Sequence, residues 1–437
     1  MPILHTERIA RRMHCQRTTG MRTSACKEAG DTAGGVMASR KGQSAADVVI
    51  VGGGVMGCAI AYELATRGVS VTIVEQREVA ASASGASAGG VRQQGRDLRE
   101  LPLALKAIPR WPGLADRLGA DVEYRRGGHL TLIEDEAILP AFATSITRQQ
   151  EAGLDIRLVE PQDLTEIMPG VSPTVVAGSY TPEDGHANPI LTTKAFADAA
   201  MRAGARLLER TAMTGFTKDT TGRIVAVETT AGTLPCRWAV NAVGAWAGEV
   251  ARLAGTEIPL HPACYQMLVT APAPHLLDPV VGCVGRPLSL KQVPEGGFVV
   301  GGGWAGTVHL DNGRAGTVGA HIAGSAAACT GILPLLRSLP LLRAWSGMEG
   351  ESPDGIAMIG SAADVPGLFH CCGFTGHGFA ISPEVGAIVG EWLATGTPPY
   401  DMHHFDPLRF AGGALPARDL PMGSVDFTRS EPTPRPG

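Results

Sequence analysis

The 437 residues are 44% hydrophobic and 18% charged with 57 glycines, a balance that fits a globular, loop-rich α/β chain and excludes general disorder. A net charge of −5 without a basic run excludes an electrostatic nucleic-acid surface, and no apolar stretch reaches the ~18–20 residues of a membrane helix. The length exceeds one ordinary domain, so a ligand domain plus a second domain is expected, with small molecules as clients.

Residues 1–44 carry eight Lys/Arg against three Asp/Glu without apolar periodicity, so they are expected to form a disordered tail, with Met37 as an alternative start. Val48-Val49-Ile50-Val51 is a β-branched run ending in glycines. It leads into a helical pattern at Val55, Ala59, Tyr62 and Leu64, then into Val71-Thr72-Ile73-Val74, giving β-α-β. After a Ser/Ala/Gly loop at 81–90, the periodicity predicts a helical stretch over 98–119 and an antiparallel strand at 129–133 where a second domain begins. Helices are expected at 136–152 and 189–203, with Asn188 capping the latter before Pro189. Two strands are read over 223–243, the second rejoining the first sheet through Trp238 to Ala242. Strands at 264–270, 288–292, 297–303 and 343–349 with one helix near 320–338 fit an antiparallel sheet. Leu368 to Cys372 reads as a strand and 376–394 as a final helix, with a loose tail beyond about 405. The nine cysteines, including Cys58, Cys236, Cys264, Cys283 and the adjacent Cys371-Cys372, read as reduced core thiols of a cytoplasmic protein.

Gly52-x-Gly54-x-x-Gly57 lies between a strand and a helix, and Glu75 closes the next strand, followed by Gln76. Gly52 permits the turn, Gly54 lets backbone approach a pyrophosphate, and Gly57 lets helix pack on strand. The helix amides from Val55 and Met56 onward face the phosphate charge, and Glu75 can accept both ribose hydroxyls while repelling a 2′-phosphate. A second match, Gly301-x-Gly303-x-x-Gly306, lacks a following helix and a closing acid, so it is read as a strand that approaches ligand. Three later features favour FAD over NAD. Ser84-Gly85-Ala86-Ser87 with Gly89-Gly90 offers small residues for phosphates and flavin. Gly244 and Trp246 follow a strand end suited to adenine. Gly373-Phe374-Thr375-Gly376-His377-Gly378-Phe379 opens the last helix, whose positive end suits charge on a reduced flavin.

These motifs, VVIVGGGVMG, SGASAGGVRQQ, VNAVGAWAG, WSGMEGESPDGIAMIG and CCGFTGHGF, make the chain resemble the D-amino-acid-oxidase/sarcosine-oxidase family over residues 46–400. The resemblance implies an α/β fold: a glutathione-reductase-like Rossmann FAD-binding domain with an antiparallel β-sheet (α+β) substrate domain. The FAD domain would take 45–126, 190–256 and 345–400, and the substrate domain 127–189 and 257–344, with 401–437 as tail. It further implies Gly355 and the 373–379 turn against the flavin, and hydride transfer from the substrate α-carbon to flavin N5. The stretch 346–351 has no flavin-linking cysteine and the 81–90 loop no histidine, so the FAD is expected to be non-covalent. Ala380 and Val299-Val300 stand where monomeric sarcosine oxidases carry lysines, which favours a dehydrogenase with electron-acceptor partner subunits over an oxidase that makes hydrogen peroxide. A non-catalytic FAD-bound subunit is the rival of another class.

A carboxylate substrate wants a cation, so Arg92, Arg286 and Lys291 are candidates, with Gln292 beside them and His377 on the flavin side. Tyr265, Gln266, His186 and Asn188 have structural readings that compete with site roles. His403-His404 lacks a third ligand at metal spacing, so no metal is assigned. The substrate is expected to be a D- or N-substituted amino acid, imino acid, opine or small secondary amine.

Overall fold

The computed structural model describes residues 46–411, 415 and 418–422. The expectations for residues 1–44 and for most of the far C-terminus fall outside this set. The chain builds a mixed α/β structure on two eight-stranded sheets.

In the first sheet, Ala46–Val51 is central and wholly buried from Val48 onward, as a continuous β-branched run demands. It pairs in parallel with Val71–Val74 on one side and Gly232–Asn241 on the other. Arg206–Leu208 and Leu368–Cys372 extend the parallel set, and Met358–Ser361 closes it antiparallel. Trp238 to Asn241 therefore do rejoin the first sheet, opposite Val48 to Val51. The other end of that long strand pairs antiparallel with Ile224–Thr229. Three helices cover one face: Val55–Thr66, Pro189–Arg202 and the final Gly378–Thr395 share an apolar core with Ile50, Ile73 and Phe369. Asn188 caps the middle helix, its Oδ1 accepting from the amides of Ile190 (3.1 Å) and Leu191 (3.2 Å).

The final helix contains Pro383, which removes the amide that would bond the Phe379 carbonyl. The Ser382 hydroxyl donates to that carbonyl instead, at 2.9 Å. Close helix contact depends on glycine: a Cβ on Gly386 would lie 2.8 Å from the Ala59 side chain.

The second sheet runs Leu341–Glu351, His261–Thr270, Phe298–Gly301, Arg286–Gln292, Val280–Cys283, His129–Ile133, Ala177–Thr181, Arg157–Val159. It is antiparallel except where Val280–Cys283 meets His129–Ile133. The second glycine match leads into a small hairpin, Thr307–His309 with Arg314–Gly316, in keeping with the absence of a helix there.

Two local readings change. The stretch 98–119 is broken into Leu101–Ala107, a 3-10 turn and Leu114–Leu118, because Pro109, Pro112 and Gly113 interrupt its ladder. Residues 401–411 do not hang loose: Arg409 forms an ion pair with the fully buried Asp354, 2.9 Å away, and donates to the Ile356 carbonyl. Asp419 exchanges further bonds with residues 97 and 98. Sequence periodicity misses such segments because charge pairing rather than apolar spacing holds them.

Gly57 is the tightest point between the first helix and strand, since a Cβ there would sit 2.0 Å from the Gly52 carbonyl oxygen. Gly57→Ala is expected to lower unfolding stability by about 3 kcal/mol, from the upper range for overpacking. An unchanged midpoint in urea would remove this contact from the account.

Candidate functional site

A long cleft runs across the carboxyl ends of the parallel strands, between the first sheet and the Leu341–Glu351 strand. At one end lies the turn of the first glycine motif. Gly52 takes φ +114°, and a Cβ there would lie 2.4 Å from the Ala242 carbonyl oxygen, so only glycine fits. The Glu75 carboxylate accepts the Gly53 amide through Oε2 at 2.7 Å and the Arg77 amide through Oε1 at 2.8 Å. The Ser84 hydroxyl accepts the Val55 amide at 2.9 Å, which puts an oxygen at the mouth of the first helix.

Of the sequence candidates, Gly52, Gly54, Val55, Met56, Glu75, Gln76, Ser84, Ser87, Gly244, Trp246, Gly373, Gly376, Gly378 and Phe379 line this cleft. Gly57, Gly85, Ala86, Gly89, Gly90, Gly355, Thr375 and His377 are not among its lining residues. Gly85 is a packing residue, its missing Cβ only 2.1 Å from the Ala80 carbonyl oxygen. Thr375 ties its own turn, accepting the Ser352 amide at 3.1 Å and donating to Gly373 at 3.2 Å.

Charged groups concentrate beyond the turn at 373–379. Arg96 and Glu100, 1% and 0% exposed, pair at 2.9 Å; Arg96 also donates to the His377 carbonyl at 3.1 Å, and Glu100 meets His377 Nδ1 at 3.1 Å. Burial pushes Glu100 up, but Arg96 and His377 outweigh it and hold the carboxyl down at about 2. Burial keeps His377 below its ordinary value, with Glu100 opposing, and the bond from its ring to Glu100 orients the start of the final helix.

Arg92 donates to the Gln94 carbonyl, and its own carbonyl accepts Arg96. Burial, with Arg96 adding, lowers the guanidinium to about 10. Lys291 is 4% exposed, its Nζ 3.3 Å from the Ala187 carbonyl, and burial lowers it to about 7. Arg286 and Gln292 go elsewhere. Arg286 is taken up by Glu134, 2.6 Å away, and Gln292 staples the loop at 273–296 through the Leu276 and Leu277 amides and three carbonyls. Gln266 likewise accepts the Val318 amide, and Tyr265 bonds Glu351.

A family model described as FAD dependent oxidoreductase matches residues 47–392. The chain belongs to that family. Human dimethylglycine dehydrogenase is 26% identical over 420 residues, covering 90% of this chain and 48% of that protein, so the chain spans about half the length of this relative. The hydrogen cyanide synthase subunit HcnC of Pseudomonas aeruginosa is 28% identical over 409 residues, 83% of this chain and 96% of that one. The crystal structure of L-proline dehydrogenase from P. horikoshii superposes with a TM-score of 0.78 at 30% identity, over 85% of this chain and 99% of that chain.

The cleft of this FAD dependent oxidoreductase suits its cofactor on chemical grounds. Backbone amides without obstructing side chains meet one end, an acid borders it, and the amino end of an 18-residue helix meets the other. Sequence reasoning passed over Glu349, which lines the cleft and accepts the Gly376 amide at 2.9 Å. Burial, with Glu351 adding, pushes its carboxyl up to about 8. Acids at alternate positions 349 and 351 of one strand were the available signal, since such residues share a face.

Because the folded chain keeps the Glu349 proton to about pH 8 and an unfolded chain releases it near 4.5, the folded state binds more protons across that interval. Stability of the cofactor-free protein should therefore decline as pH rises through the window and level off above it. Glu349→Gln should flatten the decline in thermal melts; an identical slope in both proteins would refute the assignment.

Proposed function

We propose that this chain is the catalytic body of an amino-acid or amine dehydrogenase, in which FAD held non-covalently accepts a hydride from the carbon beside nitrogen. The first sheet forms the glutathione-reductase-like cofactor domain and the second the substrate domain. Glu75 accepts the ribose hydroxyls, the amides after Gly54 receive the pyrophosphate, and the 373–379 turn presents the final helix to the flavin edge. His377, fixed by Glu100 and Arg96, is a positioning residue for that turn.

The observation that carries the substrate reading is Arg92. It is a guanidinium lowered by burial, it forms no ion pair among the described residues, and it is joined through Arg96 to the turn at His377. Asp184, the acid that acts most on it, spends its oxygens on Gln93 and Gln94, so a substrate carboxylate is the fitting direct partner. Seven described cysteines carry free thiols, which supports a reducing compartment such as the cytoplasm. Apolar Val299 and Val300, together with the resemblance, support electron transfer to acceptor subunits rather than to oxygen.

The deciding experiment is an anaerobic screen of amino acids, imino acids and N-methyl amines against the yellow holoprotein. Bleaching by at least one is expected, with little oxygen uptake when air is admitted. Rapid peroxide formation would replace the dehydrogenase by an oxidase, and no bleaching, alone or with partner subunits, would favour a non-catalytic flavoprotein. Arg92→Met should raise KM for carboxylated substrates about 10²-fold, as expected for losing one member of a buried charge pair. An unaltered KM would take Arg92 out of the site.

A further inference from the structure

Among the described residues, Arg96, Arg99 and Arg409 are all buried or nearly so, and all are matched by Glu100, Asp97 or Asp354. Arg92 and Lys291 differ in forming no ion pair there. They bracket one short feature, the two-residue ribbon in which Gly90–Val91 pairs with Gly185–His186. Lys291 stands at the end where Gly89 and Ala187 lie: its Nζ bonds the Ala187 carbonyl, and a Cβ on Gly89 would come within 3.2 Å of it. Arg92 leaves the other end, beside Asp184.

We propose that Lys291 and Arg92 together form a two-cation receptor, so that the preferred substrate is an amino or imino diacid rather than a monocarboxylate. The proposal rests on the amino-acid reading above. Its physical basis is charge balance. A cation held away from bulk water without a direct partner is costly, and among the described residues no acid forms an ion pair with either one, although Asp184 acts on Arg92 and Glu123 and Glu295 act on Lys291. Asp184 is ionised at neutral pH, burial holding its carboxyl up only to about 6, but it gives both oxygens to the Gln93 and Gln94 amides and the Gln93 side chain. Glu123, one of two acids acting on Lys291, accepts from Asn188 Nδ2 at 2.9 Å, and Glu295, the other, is exposed. Burial, with Arg92 and Lys291 respectively adding, lowers His129 and His186 to about 3, so neither ring carries charge of either sign at neutral pH. Arg96, which also acts on Arg92, is already paired with Glu100.

Both cations connect to segments that border the cleft. Gly89 bonds back to Ser87, a lining residue, through its amide at 3.0 Å, and Arg96 bridges Arg92 to the turn before Gly378. The arginine offers a planar fork that takes a carboxylate through two bonds. The lysine is a point charge that accepts a second carboxylate in a wider range of poses. Contact with that carboxylate would return Lys291 to full charge, since a nearby anion favours the protonated amine.

The test titrates the holoprotein with acetate, malonate, succinate and glutarate and follows the change in flavin absorbance, which needs no turnover. At least one diacid should bind about tenfold or more tighter than acetate, the scale of one added charge-assisted contact. Lys291→Met should bring the ratio of diacid to acetate affinity close to one, and Lys291→Arg should preserve it. Equal affinity of acetate and every diacid in the native protein overturns the proposal, as does an unchanged ratio in Lys291→Met. If acetate binds and Arg92→Met abolishes it while diacids show no advantage, the amino-acid reading survives and the two-cation receptor falls. If no carboxylate perturbs the flavin at all, both fall together.

Discussion

The structure turns on the contact between the Gly52 carbonyl and Gly57, reinforced by the Glu75 carboxylate bonded to the Gly53 amide. With no room for a methyl group, the first helix lies hard against the first strand and its free amides end at a fixed point over the sheet. The neighbouring strand contributes an acid at the same level. Every later segment that reaches the cleft, from 84 to 87, 242 to 246, 348 to 350 and 371 to 379, is positioned by packing on that strand–helix–strand unit or on sheet built outward from it.

A second principle governs the opposite end, where burial and charge are balanced group by group. Arg96 and Glu100 neutralise each other so completely that they are among the least exposed polar residues, and they hold the His377 turn by its ring and its carbonyl. Asp184 is satisfied by amides. Glu349 avoids charge by retaining its proton. Arg92 and Lys291 stand apart from these groups in forming no ion pair among the described residues.

The first sheet was legible because each of its signals has a local cause: a β-branched run, a turn that tolerates only glycine, an acid ending a strand, an asparagine before a proline. The cleft was legible only where residue type alone dictates placement, as for Gly52, Gly54, Gly373, Gly376 and Gly378. Lys291 and Gln292 were read together, yet neighbouring residues on a strand take opposite faces, and Gln292 turns into its own loop. Arg286 could not be separated from them because its partner, Glu134, is 152 positions away in sequence. Arg96 and Glu100 have the i, i+4 spacing of a helical pair, but both also bond His377, 281 and 277 positions away in sequence, and no local pattern announces that contact. The C-terminal residues held by Asp354 and Asp97 escaped notice for the same reason.

The proline in the last helix has one further implication. With the ladder interrupted at Phe379, the bond that closes the opening turn comes from the Ser382 hydroxyl rather than from a backbone amide. Beyond that turn, Val385, Ile388, Val389 and Leu393 are seated by apolar packing in the core beside the first sheet. One element thus rests on two kinds of support, polar contacts from Arg96, Glu100 and Ser382 at its start and apolar packing along its length.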